Sequence, residues 1–307
     1  MRKFLNRVFL FLIPLFLIIV GVEVLLRFIP NEFELKKKFL DFHSNEVEVL
    51  ILGHSHSYYG LNPVYFEKYT FNASNVSQSL KYDFEIISKY SKSFKSLKVI
   101  VLPISYFSIF FKLEDSIEFW RVKNYNLYFD LPTDCYNLSS NFEILGSDKK
   151  VLLRRLYNYY AINKSINCSD SGWGNDFDSV GVDDFKLSGI SRSKYHTYDL
   201  NSKINEGNFN ENLAYLKKIV DYCENNKIEL FLFNPPTTSF YRENIDIKQL
   251  DKTIGSLNSL ISESSYCRFY DLSDDTLFNI NDFHDADHLS SIGAKKLSLK
   301  INNLIEN

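Results

Sequence analysis

The stretch Val47-Glu48-Val49-Leu50-Ile51-Leu52-Gly53-His54-Ser55-His56-Ser57 limits what this chain can fold into more than any other. Apart from Glu48, its first six residues are aliphatic, with no regular alternation of polar and apolar positions. A strand written that way is covered on both faces, as in a parallel sheet. Gly53 and small polar residues end the run at once and put Ser55 on a tight turn. Parallel α/β sheets bind ligands at the carboxyl ends of their strands, so Ser55 is well placed to be a nucleophile. Turn formers at a plain strand exit would read the same way.

Similar runs recur. Phe71 to Gln78 reads as a short strand entering a polar turn, 79–94 as an amphipathic helix carrying Leu80, Phe84, Ile87 and Phe94, and Leu97 to Ile104 as a second buried strand. Strand, helix, strand in that order implies a right-handed crossover. A helix over 210–225 follows, then a strand over 228–233, which stops at Asn234-Pro235-Pro236-Thr237. A helix over 247–264, a strand over 268–272 and a helix over 289–305 close the chain. This alternation predicts a three-layer α/β/α sandwich. Residues 106–205 break the pattern and hold Trp120, Trp173 and the turn Ser171-Gly172-Trp173-Gly174. They read as a large insertion or lid between two halves of one sheet, or as a small helical cap with no direct role.

Val8 to Leu26 is apolar except for Pro14, Gly21 and Glu23. About 19 residues make a helix of roughly 28 Å, close to one hydrocarbon core. Arg2, Lys3 and Arg7 would also suit a signal peptide, but Gly21-Val22-Glu23-Val24-Leu25 is too bulky for its cleavage site. The expected organisation is therefore a transmembrane anchor over 1–30, a linker or short helix over 31–45, and one domain over 46–307. Arg27 and Lys36-Lys37-Lys38 after the span balance the charges before it, so the positive-inside count does not orient the chain. The net charge of -3, with no long basic run, argues against nucleic acid as a partner. Cys135, Cys168, Cys223 and Cys267 contain no CxxC pair, which excludes a zinc knuckle by spacing. Cys223 and Cys267 could pair.

Just ahead of the last helix comes Asn281-Asp282-Phe283-His284-Asp285-Ala286-Asp287-His288. An Asp three residues before a His, on a loop entering a helix, can bring both side chains to the rim that bears Ser55. Asp285 would hold the His288 tautomer while the other ring nitrogen takes a proton from serine. Asp287 and His284 are the neighbouring alternatives, and all of these residues are also common caps and turn formers. His54, His56, His288 and Asp285 could surround a metal, yet two histidines at i and i+2 on a turn do not match a usual zinc spacing. No metal or cofactor is expected.

Together these two ends resemble the SGNH/GDSL hydrolase superfamily. Gly53-His54-Ser55 stands where that family has Gly-Asp-Ser, with His54 replacing the aspartate, and Asp285-Ala286-Asp287-His288 matches its Asp-x-x-His block in full. Leu52 to Ser57 with Gly60-Leu61-Asn62-Pro63, and His288-Leu289-Ser290-Ser291-Ile292-Gly293-Ala294, look closest to a membrane-anchored branch. That branch includes proteins similar to those of teichoic-acid D-alanylation and polysaccharide O-acetylation. The resemblance covers about 46–105 and 208–306. It implies a flavodoxin-like parallel sheet, with Ser55 as nucleophile, His288 as general base and Asp285 as its orienter. It puts the oxyanion glycine near Ser77 and the oxyanion asparagine near Ser105, with Asn75 or Gln78 as substitutes for the shorter hydroxyl. The implied function is a membrane-anchored serine esterase or O-acyltransferase, its domain outside the cytoplasmic membrane. It would act on acyl groups, acetyl foremost, of a cell-envelope glycan, with a membrane-bound O-acyltransferase as a possible partner. The alternative is a non-catalytic glycan- or partner-binding protein of an envelope acylation system.

Overall fold

The computed structural model describes residues 2–131, 138–164, 166–262 and 264–306, so Cys135 lies outside the described residues. Helix α1 (Arg2–Arg27) contains Phe9–Arg27, a stretch long and apolar enough to cross a membrane. Helix α2 (Glu32–His43) follows, with the Asn31 side chain accepting from the Glu34 N–H at its start. This segment, expected as a linker or short helix, is part of the domain. Phe33 and Leu40 are buried in the core, and Phe39 stacks on Phe71 with ring centroids 3.8 Å apart.

The sheet elements then run β1 (Val49–Ile51), α3 (Ser55–Gly60), β2 (Thr70–Asn72), α4 (Leu80–Tyr90) and β3 (Val99–Pro103). The inserted chain carries α5 (Val122–Leu127), α6 (Lys149–Tyr160) and α7 (Phe185–Tyr195). After it come α8 (Lys203–Asn226), β4 (Glu229–Asn234), α9 (Ser239–Arg242), α10 (Ile247–Ile261), β5 (Cys267–Asp271) and α11 (Ser291–Glu306). All five strands are parallel in the order β2-β1-β3-β4-β5. Winding reverses between β1 and β3, which opens a crevice beyond their carboxyl ends. Ser55 leaves β1 at that crevice.

The unbroken apolar runs are explained by the two covered faces. Leu50, Leu52, Ile100, Leu102, Leu230 and Leu232 point into the layer built by α2, α4, α8 and α10. Their sequence neighbours Val49, Ile51, Val99, Val101, Phe231 and Phe233 point the other way, onto α11. Helix α8 starts at Lys203, earlier than the apolar pattern predicts, because Ser202 caps it and its first turns run over the insertion. Part of the insertion is core. Tyr125 stacks on Tyr82 at 3.8 Å, and the Asn212 amide donates to the carbonyls of Ile109 and Phe111. Cys223 and Cys267 are buried free thiols and do not form the bridge their positions suggested.

Candidate active site

Gly53 sets the turn that carries Ser55. Its φ of +103° is a left-handed value, and a Cβ there would lie 2.4 Å from Cδ of Pro103 on the neighbouring strand. Its N–H donates to Asp83 Oδ1 at 2.8 Å, which ties the turn to α4. Ser55 is thereby the first residue of α3, half-buried, at the crevice.

The Ser55 hydroxyl oxygen lies 2.8 Å from His288 Nε2. His288 Nδ1 lies 3.0 and 3.1 Å from the two Asp285 oxygens. Asp285 also accepts the backbone N–H groups of Asp287 and His288, at 3.0 and 2.8 Å. The loop thus folds around its own carboxylate, which is what the three-residue spacing permits. Thr238 locks it in place, donating its hydroxyl and its N–H to the Ala286 carbonyl at 2.8 and 3.0 Å.

Asp287 supplies a second carboxylate from beneath. It is fully buried, and Arg192 from α7 donates to both its oxygens, at 2.7 and 3.1 Å. His288 Nδ1 approaches Asp287 at 3.5 Å and His196 Nδ1 at 3.6 Å. Burial pulls the His288 imidazolium down, but the Asp285 and Asp287 carboxylates outweigh it and hold the ring above its ordinary pKa. Burial works against the Asp287 carboxylate too, yet His288 and Arg192 beside it keep it well below the usual range. His54, His56 and His196 are pushed the other way, burial lowering each.

These neutral histidines orient a buried chain. His56 Nε2 faces Asp287 Oδ2 at 3.2 Å and must carry its proton there, so His56 Nδ1 accepts from the Ser105 hydroxyl at 2.7 Å. Ser105 in turn accepts from His54 Nε2 at 3.2 Å. The Ser105 proton is therefore committed, and its side chain has nothing to give an oxyanion. Asn75 and Gln78 are likewise engaged below the surface. The Gln78 amide donates to Asp83 at 2.6 Å and accepts from Tyr125 at 3.0 Å, while Asn75 donates to Gln78 at 3.2 Å. None of the three lines the cavity at Ser55. Ser77 does line it, in a left-handed conformation at φ 59°.

That cavity is about 430 Å³, walled by Tyr59, Val76, Phe107, Phe111 and Phe177 around Ser55 and His288. Among the neighbouring alternatives, His284 stacks on Phe177 at 3.7 Å and turns its Nδ1 to the Ser179 carbonyl. Asn234 bonds Asp271 and lines a separate cavity of about 240 Å³. Ligand atoms of His56, Asp287 and His288 lie within 4.8 Å of one another. Both Asp287 oxygens are already taken by a guanidinium, a cation where a metal would sit, so the group does not suit a metal ion. Arg192 and His196 were not apparent from the sequence. The one local sign is Gly189, where a Cβ would lie 2.3 Å from the Phe240 carbonyl oxygen, marking how closely α7 is pressed onto α9.

A family model that carries no functional description matches residues 186–307, which include Arg192 and the Asp285–His288 loop but not Ser55. No curated protein matches the chain. Among solved structures, one of a protein provisionally named a platelet activating factor, from Streptococcus pneumonia, is similar at 12% identity and a TM-score of 0.43, over 96% of this chain and 98% of that one.

Proposed function

We propose that this protein is a membrane-anchored serine hydrolase or O-acyltransferase of the SGNH type, acting on acyl esters of a cell-envelope glycan outside the cytoplasmic membrane. The observation that carries the reading is the line of atoms from Ser55 Oγ through His288 to Asp285. With its Nδ1 proton held by Asp285, His288 presents the Nε2 lone pair to the serine proton. Ser55 Oγ then attacks the acyl carbonyl as its proton passes to Nε2. Collapse of the tetrahedral adduct breaks the bond to the alcohol oxygen, which leaves with that proton. Water attacking the acyl-serine gives an esterase; a sugar hydroxyl gives a transferase. Backbone N–H groups at Ser55 and Ser77 are the donors available to the oxyanion, since a main-chain donor needs no particular side chain.

A second reading has an observation of its own. The committed Ser105 hydroxyl removes one expected donor, which favours a non-catalytic glycan- or partner-binding protein. A fluorophosphonate probe decides between them. The enzyme reading requires covalent labelling of the full chain that disappears in Ser55→Ala, together with release of acetate from an acetylated envelope polysaccharide. An unlabelled protein that still binds the polysaccharide is the accessory module instead.

A further inference from the structure

Residues 138–162, with α6 at their centre, expose large apolar side chains that the domain does not use. Leu153 and Tyr157 are 66% and 62% exposed and sit one helical turn apart, with Tyr160 next on the same face. Phe142, Leu145 and Ile162 are exposed beside them, and Lys149, Lys150 and Arg154 put cations around the patch. Patches of this kind on a globular surface mark a partner or a membrane.

The neighbour of this patch identifies the occupant. Leu152 is buried against Leu26 and Ile29, with Val22, Ile144, Leu156 and Tyr159 packed around them, so α6 lies against the end of α1. Phe142, Ile144 and Leu145 share an apolar hollow with Phe16, Ile19 and Val20 of α1. Ile19 is eight residues before Arg27, or about 12 Å along the helix, well inside the apolar span. Glu23, in the same span, accepts the N–H groups of Glu143 and Ile144 at 3.0 Å each and the Arg27 Nε at 2.7 Å. A carboxylate at that depth needs such partners. The turn that satisfies it is fixed from behind, where buried Glu143 binds Lys123 at 2.5 Å and Arg155 at 2.7 Å.

We propose that residues 138–162 are a second membrane contact, an interfacial element lying in the headgroup region beside the end of α1 and immersing Phe142, Leu145, Leu153 and Tyr157 in the bilayer. Tyrosines and basic residues at that level match the aromatic belt and the anionic headgroups. One span is a hinge point; a span with a lateral contact fixes the tilt of the domain. The contact also holds a cleft of about 390 Å³ against the bilayer. That cleft runs from Ile29 and Pro30 to Tyr59 and Val76, which also wall the Ser55 cavity.

The test uses the full chain in nanodiscs of phosphatidylcholine and phosphatidylglycerol, with a small fluorescent amino acid replacing Leu153, Tyr157, Phe16 or Ile247 in turn. Each position is surface-exposed, so folding is preserved. Lipids brominated on their acyl chains should quench positions 153 and 157 several-fold more than 247, on α10, and approach the quenching at 16. Quenching at 153 no stronger than at 247 overturns the proposal, whatever happens at 16. Absent quenching at 16 overturns it as well, since no bilayer would then surround α1.

Discussion

The sheet rim and the inserted chain both build the Ser55 cavity, and they hold their residues by different forces. At the rim, geometry is enforced by backbone: Gly53 has a conformation and a neighbour that exclude any side chain, and the Asp285 loop closes on its own N–H groups. In the insertion, Arg192 is held by charge, through a fully buried carboxylate belonging to the rim. The rim thus places Ser55, His288 and Asp285, and the insertion sets part of the electrostatic surroundings in which they sit. Under the proposed hydrolase reading, damage to the two regions should look different.

Rim substitutions should abolish chemistry and spare the fold. Ser55→Ala is expected to lower kcat on p-nitrophenyl acetate by on the order of 10⁶-fold, with an unchanged urea midpoint. Asp285→Asn should cost about 10⁴-fold, since an amide can hold the wrong His288 tautomer. Activity within tenfold of the parent in either variant would remove the rim from the mechanism.

Insertion substitutions should do the reverse. Arg192→Gln leaves Asp287 buried without its cation, and breaking such a pair costs about 3 kcal/mol of folding stability. A chemical denaturation curve should show that loss, with activity per folded molecule reduced far less than in Ser55→Ala. Asp287→Asn sharpens the contrast through pH. His288 must be neutral to accept the serine proton, so kcat/KM rises as pH climbs through its pKa. Burial lowers that pKa, but the Asp285 and Asp287 carboxylates raise it further than burial lowers it. Removing the Asp287 charge should therefore move the acidic limb of the profile to lower pH. An unmoved limb would mean that Arg192 already cancels the Asp287 charge in the parent, so that Asp285 alone sets the His288 proton affinity.

The same division explains what could be read in the amino-acid sequence. Strands buried on both faces announce themselves as apolar runs, and the order of runs and helices led directly to the parallel sheet. Ser55, Asp285 and His288 were visible because short spacings, a glycine before a serine and an Asp three before a His, decide their geometry locally. Arg192 was not, because nothing within α7 records that its guanidinium meets a carboxylate 95 positions away. Ser105, Asn75 and Gln78 were misjudged for a related reason. Their residue types suit an oxyanion site, but Ser105 is bonded to His56, Gln78 to Asp83 and Tyr125, and Asn75 to Gln78, pairings that turn them away from the Ser55 cavity. The segment 31–45 reads as a linker or short helix, and its charged composition masks the stripe of Phe33, Lys36 and Leu40 by which that helix packs into the domain.

The smallest effect concerns Asp83, a buried titratable group that supports the rim from inside. Burial raises the Asp83 carboxyl to about 7, against the lowering pull of the Gln78 amide and the Gly53 N–H that it accepts. In the unfolded chain the same group ionises near pH 4. Between those values the unfolded state gives up its proton while the folded state keeps it, so this group's contribution to stability falls as pH rises from about 4 to about 7 and is level above that. Asp83→Asn preserves an oxygen able to accept from Gly53 and Gln78 and has no proton to lose. Across that window the parent's urea midpoint should fall relative to that of Asp83→Asn as pH rises, with Ser55 labelling retained in both. Parallel curves would show that Asp83 ionises normally within the fold. The Ser55 turn would then be held by an ion, and the rim would depend on buried charge as much as the insertion does.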